Sequence, residues 1–454
     1  MSGDLTITRA ATACTTPPRK RAAEMRILLV SHYFPPEVGA PQVRLSTLAR
    51  TWASDGDTVT VLTGMPHYPT GVVPPPYRGA MRCAMRRLER WNGCRVVRTW
   101  VYAVPNTGVV RRTLEHLSFV LSSVLLGCRA CGPADVVVVS SPTFFSIGAA
   151  WLLARMKRAR FVIEIRDLWP AIFVQLGVLT NRRVLRLLER FELAAYSAAD
   201  AVVVVSDGFR VNLTDRGVPA DKIHTIPNGA NLDLFDRAAK PDPAVRARLG
   251  ARDDDCLVLY AGTHGISQAL PVLADAMACL ADEPVRFAFV GEGAEKHLLQ
   301  HKVEELGLRN VSLLPSVPHQ EMPALLAAAD VCLVALRNVP LHSKSIPSKM
   351  FEYLAAGKAV VGAVGGEAAQ ILREAGAVVV PMEDTAELAD AVAKLAANPE
   401  RRRAMGHQGR THVEHFFDRT ELARQYRKIL SELGERREGW GRDGGQTRSD
   451  SPPS

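Results

Sequence analysis

A chain of 454 residues is too long for a single hydrophobic core, which seldom grows past about 250–300 residues, and so it holds two domains. Its 47% hydrophobic and 23% charged content excludes a fibrous or wholly disordered chain, and no apolar run reaches the roughly 18 residues of a membrane-spanning helix. The balance is basic, 56 Lys+Arg against 47 Asp+Glu for a net charge of +9, which favours anionic partners such as phosphorylated substrates or anionic lipid.

Residues 1–24 are polar, without the apolar centre of a secretory signal, and are expected to be disordered. Residues 26–30 (RILLV) read as a buried strand, followed by a turn-rich loop over 31–42, a helix over 43–54 and a strand over 58–62. From Arg78 to Arg112 the chain is rich in arginine, opposed only by Glu89, and reads as a basic surface. Residues 117–127 (LSFVLSSVLLG) are too short to span a bilayer; they suit either a segment lying among headgroups or a buried core helix. Strands are expected again at 136–139, 161–164, 201–205 and 225–229. The eight cysteines are scattered, and Cys128 and Cys131 lack a second pair to complete a metal site, so the chain reads as cytosolic with reduced thiols.

A polar stretch over 236–255 reads as the connection between domains, after which the strand–helix rhythm restarts. Strands are expected at 256–260, 285–290, 311–314, 331–334, 359–362 and 377–380. The expected fold class is α/β, two tandem Rossmann-like doubly wound domains facing each other across a cleft, with ligand at the carboxyl ends of the strands. The boundaries are 1–24 disordered, 25–236 first domain, 237–410 second domain, 411–433 a helix returning to the first domain, and 434–454 a disordered tail. A dinucleotide enzyme is disfavoured: SHYFPPEVGAPQ after the first strand lacks G-x-G-x-x-G, and Lys296 stands where Gly291-Glu292-Gly293 would need a third glycine.

Chemistry concentrates in residues 345–366 (SIPSKMFEYLAAGKAVVGAVGG). Pro347 favours a first helical turn with Ser348 and Lys349 beside it, and a helix start presents free N–H groups to a diphosphate. Lys349 adds a point charge, and Glu352 one turn on can accept hydrogen bonds from ribose hydroxyls. This stretch resembles the donor-site motif of glycosyltransferase family 4, retaining enzymes with the GT-B fold. The carrying segments, in order, are SHYFPPEVGAPQVRLSTLA, VLTGMPHYPTG, EIRDLWP, IPNGANLDLF, YAGTHGISQ, FVGEGAEK and PSKMFEYLAAGKAVV, and the likeness takes in nearly all of residues 26–433. It is strongest to a bacterial subgroup resembling fucosamine and N-acetylhexosamine transferases of surface-polysaccharide clusters (O-antigen, capsule, exopolysaccharide).

The resemblance implies a nucleotide-sugar donor, with UDP favoured as the nucleotide, and a lipid-diphosphate-linked saccharide as acceptor. Glu352 matches the ribose-binding glutamate, whereas Lys344 stands where the family places a second glutamate, and Thr263 and Gln268 replace its phosphate-holding Arg and Lys. Gly39 would face the donor phosphate, and Gly262 and Gly291-Glu292-Gly293 would line the nucleotide. Glu164, Arg166 and Asp167 form a charged knot at the end of a strand: Asp167 is the candidate base, Arg166 the cation that neutralises the diphosphate, and Glu164 the third candidate catalytic group. A salt-bridge network holding the cleft is the competing reading. His32, His67 and Tyr68 lie on loops that could line the acceptor side. No cofactor and no metal are expected, because Asp253-Asp254-Asp255 falls in the connection and the helix–lysine arrangement can stabilise the leaving group alone. The expected place of action is cytoplasmic, peripheral on the inner face of the bacterial plasma membrane. Nucleic acid is not expected as a partner, since few aromatics beyond Trp91 and Trp100 interleave the arginines. A GT-B nucleotide-sugar 2-epimerase and a non-catalytic nucleotide-sugar-binding scaffold are the alternatives.

Overall fold

The computed structural model describes residues 24–442 apart from 38, 69, 106–108, 142–143, 172–173, 175–179 and 236–240. The expected N-terminal disordered segment, up to residue 23, and the last part of the tail, 443–454, lie outside the described residues. Two sheets carry the molecule. The first is built from β1 (Arg26–Val30), β2 (Thr58–Gly64), β3 (Arg86–Trp91), β4 (Cys94–Thr99), β5 (Val136–Ser140), β6 (Arg160–Ile165), β7 (Ala201–Val204) and β8 (Ile223–Thr225), in the order β3-β4-β2-β1-β5-β6-β7-β8. The second holds β9 (Cys256–Ala261), β10 (Val285–Val290), β11 (Val311–Leu314), β12 (Val331–Ala335), β13 (Ala359–Ala363) and β14 (Val378–Val380), in the order β11-β10-β9-β12-β13-β14. Both orders reverse direction next to their first strand, at β1/β5 and at β9/β12, which is the switch point where doubly wound sheets bind ligands.

The parallel strands form because they are Val/Ile/Leu-rich and buried on both faces; β5 (VVVVS) and β9 (CLVLYA) are buried throughout. Each sheet separates two apolar clusters. In the first domain one cluster gathers Leu28, Val137 and Phe161, and the other gathers Ile27, Trp52 and Val138. The helices needed below are α1 (Ala40–Ser54), α2 (Val109–Ser122), α3 (Phe144–Lys157), α4 (Arg182–Ala198), α5 (Asp207–Asp215), α6 (Lys349–Ala355), α7 (Gly366–Glu374), α8 (Pro399–Phe416) and α9 (Arg419–Arg442).

Two strands come in addition to the expected set: within the arginine-rich stretch β3 and β4 form an antiparallel hairpin on the sheet edge. Its turn is Asn92-Gly93 with φ of 44° and 82°, the positive pair that a tight hairpin turn requires. Within the expected interdomain connection, helix Pro243–Arg248 belongs to the second domain: Arg246 is buried and bonds Asp330 at 3.0 Å. The return to the first domain comes at 417–418 rather than 411. Helix α8 packs on α6 and β13, and α9 packs on α1 through Trp52 and Tyr426, whose rings meet edge-to-face at 5.4 Å. Helix α9 runs on past residue 433 to Arg442.

The chain crosses between domains twice, at 227–235 and at 417–419, and the two crossings are hydrogen-bonded to each other. Ala230 N–H donates to Phe417 O and Arg419 N–H to Ala230 O, each at 3.0 Å. Elsewhere the domains meet where Leu341 of the second joins the apolar cluster of the first. Beside it Ser206 donates to Lys344 O at 2.8 Å, and the Glu367 carboxylate on α7 accepts from Asp207 N–H at 3.2 Å and Gly208 N–H at 3.0 Å at the start of α5. A carboxylate at a helix N-terminus is favourable, so this contact ties the domains electrostatically as well as by shape.

Candidate active site

Strand β9 ends at Ala261 and turns sharply through Gly262, whose φ of 143° favours glycine and whose missing Cβ leaves room for Lys349 Nζ, which a Cβ would meet at 2.8 Å. The loop after β10 lies directly against it. A Cβ on Gly291 would stand 1.8 Å from Gly262 O, and one on Gly293 would stand 2.3 Å from His264 O. His264 N–H donates to Glu292 O at 2.9 Å and Glu295 N–H to His264 O at 2.9 Å, so the two loops are zipped by their backbones. The glycines Gly262, Gly291 and Gly293, expected to line a nucleotide, are thus also the condition for these loops to touch. The Glu292 side chain turns outward to Lys296 at 2.7 Å. Thr263 presents its carbonyl to Tyr260 Oη at 2.7 Å, and Gln268 folds back to accept from Gly265 N–H at 3.1 Å. Neither carries positive charge into the cleft.

Lys349 supplies it, at the start of α6. Its ammonium hydrogen-bonds to Tyr260 Oη and lies 3.6 Å from the centre of that ring. Burial lowers its pKa to about 7, with Glu352 opposing. A lysine held near neutrality beside an aromatic face is poised to become fully charged when an anion arrives. Ser348 precedes it as the capping residue without a side-chain cap bond, which leaves the first turn of α6 open to a ligand. His264 is buried behind this group with both ring nitrogens unpartnered among the described residues, and burial pushes its pKa down to about 4.

Across the cleft, the end of β6 carries the charged knot. Glu164 is fully buried; its carboxylate accepts from Arg44 Nε at 2.8 Å and Ser140 Oγ at 2.7 Å. Arg44, on α1, also donates to Pro227 O at 2.8 Å and Ile226 O at 3.0 Å. Both partners are thereby committed, and Glu164 serves as an anchor that ties α1, β5 and β6 together; as a catalytic group it would first have to leave them. Asp167 is open to solvent but crowded by the cleft walls, so lost hydration raises its pKa, opposed by Arg166 and by His342 of the facing domain. Arg166 has Nε and Nη1 buried without an acceptor among the described residues. Gly39 is in extended backbone at the start of α1, a few residues ahead of Arg44. Glu352 faces the same floor, 3.9 Å from Arg419. Lys344 sits instead at the domain contact, its Cβ 2.9 Å from where a Cβ on Gly208 would stand.

The loops after β1 and β2 hold a second polar group. Glu115 on α2 accepts at a single oxygen from His67 Nε2 at 2.7 Å, Tyr33 Oη at 2.9 Å and His32 Nε2 at 3.0 Å. His67 Nδ1 donates to Met65 O at 2.8 Å, so both ring nitrogens of His67 donate and the ring is the imidazolium. Its pKa is raised: burial lowers it, but Glu115, Met65 O and Glu37 more than offset that. Glu115 is held below its usual range, its two histidines outweighing the burial that raises it. Among the described residues, His32, His67 and Glu115 are the group whose ligand-type atoms lie close enough to hold a metal ion, all within 4.8 Å. The separations at Glu115 are those of hydrogen bonds. Sequence reading placed His32, His67 and Tyr68 on this side but missed Glu115, which shares its helix face with Arg111 and Arg112 and so read as an ordinary surface charge.

Helix α2 and the helical turn that continues it, Ser123–Gly127, are two-faced: Phe119 and Gly127 are buried, whereas Leu117, Leu121 and Leu125 point outward, so residues 117–127 are at once core and surface. Beside them Trp151, Leu152 and Met156 of α3 and Leu187 and Phe191 of α4 are also exposed. Arg183, Arg186 and Arg190 fringe α4. Among the described residues no helix is long and apolar enough to cross a membrane.

Known proteins align with this architecture. Residues 39–229 match the family described as Glycosyl transferase 4-like domain, and residues 242–412 match Glycosyl transferases group 1. WcaI of Escherichia coli K12, named for colanic acid biosynthesis, is 29% identical over 339 residues, 73% of this chain and 82% of that protein. TuaH of Bacillus subtilis 168, named for teichuronic acid biosynthesis, is 27% identical over 203 residues, 44% of this chain and 49% of that protein. Among solved structures, sucrose-phosphate synthase from Thermosynechococcus elongatus superposes with a TM-score of 0.69 at 22% identity, covering 90% of this chain and 99% of the other. Anabaena Alr3699/HepE, in complex with UDP-glucose, gives 0.65 at 17% identity, with 90% and 100% covered. At these identities the superpositions speak for the fold.

Proposed function

Because this chain belongs to the family 4 glycosyltransferases with the GT-B fold, we propose that it moves a hexosyl group from a UDP-sugar to a lipid-diphosphate-linked saccharide, with retention at the anomeric carbon, in bacterial surface-polysaccharide synthesis. The observation that carries the reading is Lys349, stacked on Tyr260 beside Gly262 and one turn from Glu352, whose neighbour Arg419 lies within electrostatic reach of Arg166 at the end of β6. As the nucleoside diphosphate departs, negative charge grows on the β-phosphate while the sugar becomes oxocarbenium-like. Lys349 and the open first turn of α6 stabilise that charge in a narrow cleft, and they are already positioned before the reaction. Glu352 holds the ribose, and Asp167 receives the acceptor proton or orients its hydroxyl. No step in this scheme is assigned to a metal ion.

The acceptor reading is supported by the exposed leucines of α2 beside Arg111 and Arg112 and by the arginine fringe of α4, a composition suited to an anionic membrane surface. It places the protein as a peripheral enzyme on the cytoplasmic leaflet. The deciding assay offers purified protein a panel of UDP- and GDP-sugars, with and without a lipid-diphosphate saccharide. Nucleoside diphosphate released only with lipid, and lost in Glu352→Ala, is the expected result; donor binding without turnover on any lipid would leave a scaffold instead.

A further inference from the structure

The two crossings between domains enclose a side chain that the donor site described above does not use. Arg419 stands at the first turn of α9, where the second crossing ends, and is buried. Its Nη2 donates to Gly229 O of the other crossing, and its Nη2 lies 3.9 Å from Glu352, the nearest carboxylate. Nε and Nη1 have no acceptor among the described residues. Arg166, at the end of β6, shows the same pattern: Nε and Nη1 are buried and without an acceptor among the described residues.

The carboxylates that act on them electrostatically, Glu164 and Asp167 on Arg166 and Glu352 on Arg419, accept no hydrogen bond from these Nε and Nη1 groups among the described residues. Glu164 is closed by Arg44 and Ser140, and Arg44 by Glu164 and the carbonyls of Ile226 and Pro227. Arg166 and Arg44 lie near enough to Arg419 to depress its pKa, which burial above all pushes to about 10 against Glu352. Two guanidinium groups, one buried and one half-buried, whose buried N–H donors find no acceptor among the described residues are costly unless an anion with several oxygens joins them. A diphosphate has such oxygens, and the planar guanidinium fork matches them. The cations of the loop after β9 are absent, since Thr263 and Gln268 stand there.

We propose that Arg419, reaching in from the crossover, and Arg166, from the end of β6, form a seat for a diphosphate-class anion on the cleft floor beside Glu352. This rests on the reading of the cleft as a donor site, and it adds that the chain crossing, not the second domain alone, grips the ligand. The anion's source is either the donor's diphosphate or the diphosphate that joins the acceptor's sugar to its lipid.

The test is calorimetric titration of the full-length protein, Arg419→Gln, Arg419→Lys, Arg166→Gln and Glu352→Ala with uridine, UDP, inorganic pyrophosphate and a soluble short-chain prenyl diphosphate. Arg419→Gln and Arg166→Gln are each expected to weaken UDP and pyrophosphate by ~10–100-fold, the scale of a charge-assisted hydrogen bond, while uridine changes less than about twofold. Arg419→Lys, which restores a charge, recovers part of the loss. A loss confined to the prenyl diphosphate upholds the seat and assigns it to the acceptor. Equal losses for uridine and UDP would mean that Arg419 only shapes Glu352 or the fold, and the proposal falls. UDP binding that needs Glu352 but ignores both arginines would sink the seat and leave the donor reading standing; no uridine or UDP binding by the unmodified protein would sink that reading itself.

Discussion

Single side chains in this protein are set by what surrounds them rather than by residue type. Lys349 is the sharpest case. Free, it titrates near 7; with a phosphate beside it the charged form is favoured, so donor binding takes up a proton. Below pH 7 the ammonium is already present and affinity is flat. As pH rises above 7 the uptake must be supplied, and UDP affinity should fall by up to about tenfold per pH unit until the ligand-bound pKa is reached. Titrations at pH 8 in two buffers of different ionisation enthalpy should show close to one proton taken up, and none in Lys349→Ala. His67 and Glu115 give a second pH signature, of stability rather than binding. Glu115 is depressed below 4.5, so its contribution is present above that pH and is lost on acidification; His67 is raised above 6.5, so its contribution is full below that pH and fades as pH rises through its folded value. His116, pushed down to about 3 by burial, and His32, also lowered, act oppositely by resisting protonation, but they are common to the unmodified protein and its variant. The melting-temperature gap between the protein and His67→Asn should therefore narrow between pH 6 and pH 9. A gap that widens would overturn the imidazolium assignment.

At the scale of elements, legibility followed burial. The parallel strands announce themselves because a run such as VVVV over 136–139 is apolar on both faces, and their observed bounds match the expected ones within a residue or two for nearly every strand. The β3–β4 hairpin was hidden because its outward residues are arginines, although Asn92-Gly93 carried the turn signal. Of the site, the α6 motif and the β6 knot were visible as local clusters. The bonds from Arg44 to Glu164, from Glu115 to His67 and from Arg419 to Gly229 join residues far apart in the chain, and no window along the sequence contains both partners. The zipped loops after β9 and β10 yield a test at this scale: Gly291→Ala puts a methyl group against Gly262 O, and the loops must part. We expect a loss of about 1–3 kcal/mol in denaturant unfolding, together with weaker UDP binding. An unchanged Kd would separate those loops from the donor. The outer face of α2 and of the turn Ser123–Gly127 after it gives another. Replacing Leu121 and Leu125, 62% and 68% exposed, with Ser should leave the fold intact yet reduce co-flotation with vesicles containing anionic lipid.

Across the whole molecule, the domains are held at two places of different character. One is covalent, the paired crossings at Ala230 and Asp418; the other is the contact of Leu341, Lys344 and Glu367 with α5. The second can open, and the first can only bend. Glu367→Gln removes the charge that meets the α5 N-terminus and should shift the population toward an open form, read as a larger radius of gyration in solution scattering and restored compactness with UDP.

The adjacency of the crossings has a consequence for how the chain is assembled. It leaves the first domain at Ala230 and re-enters it at Arg419, and the two points are hydrogen-bonded neighbours. In connectivity the second domain is thus a cassette spliced into a loop of the first, whose final helix completes the first domain's own core through Trp52, Tyr426 and Leu430. A chain in which Ala230 runs directly into Asp418 through a short glycine joint should fold by itself, and the excised cassette, 241–416, should do the same. A host domain with an inserted guest, rather than two beads on a string, is the arrangement this connectivity describes.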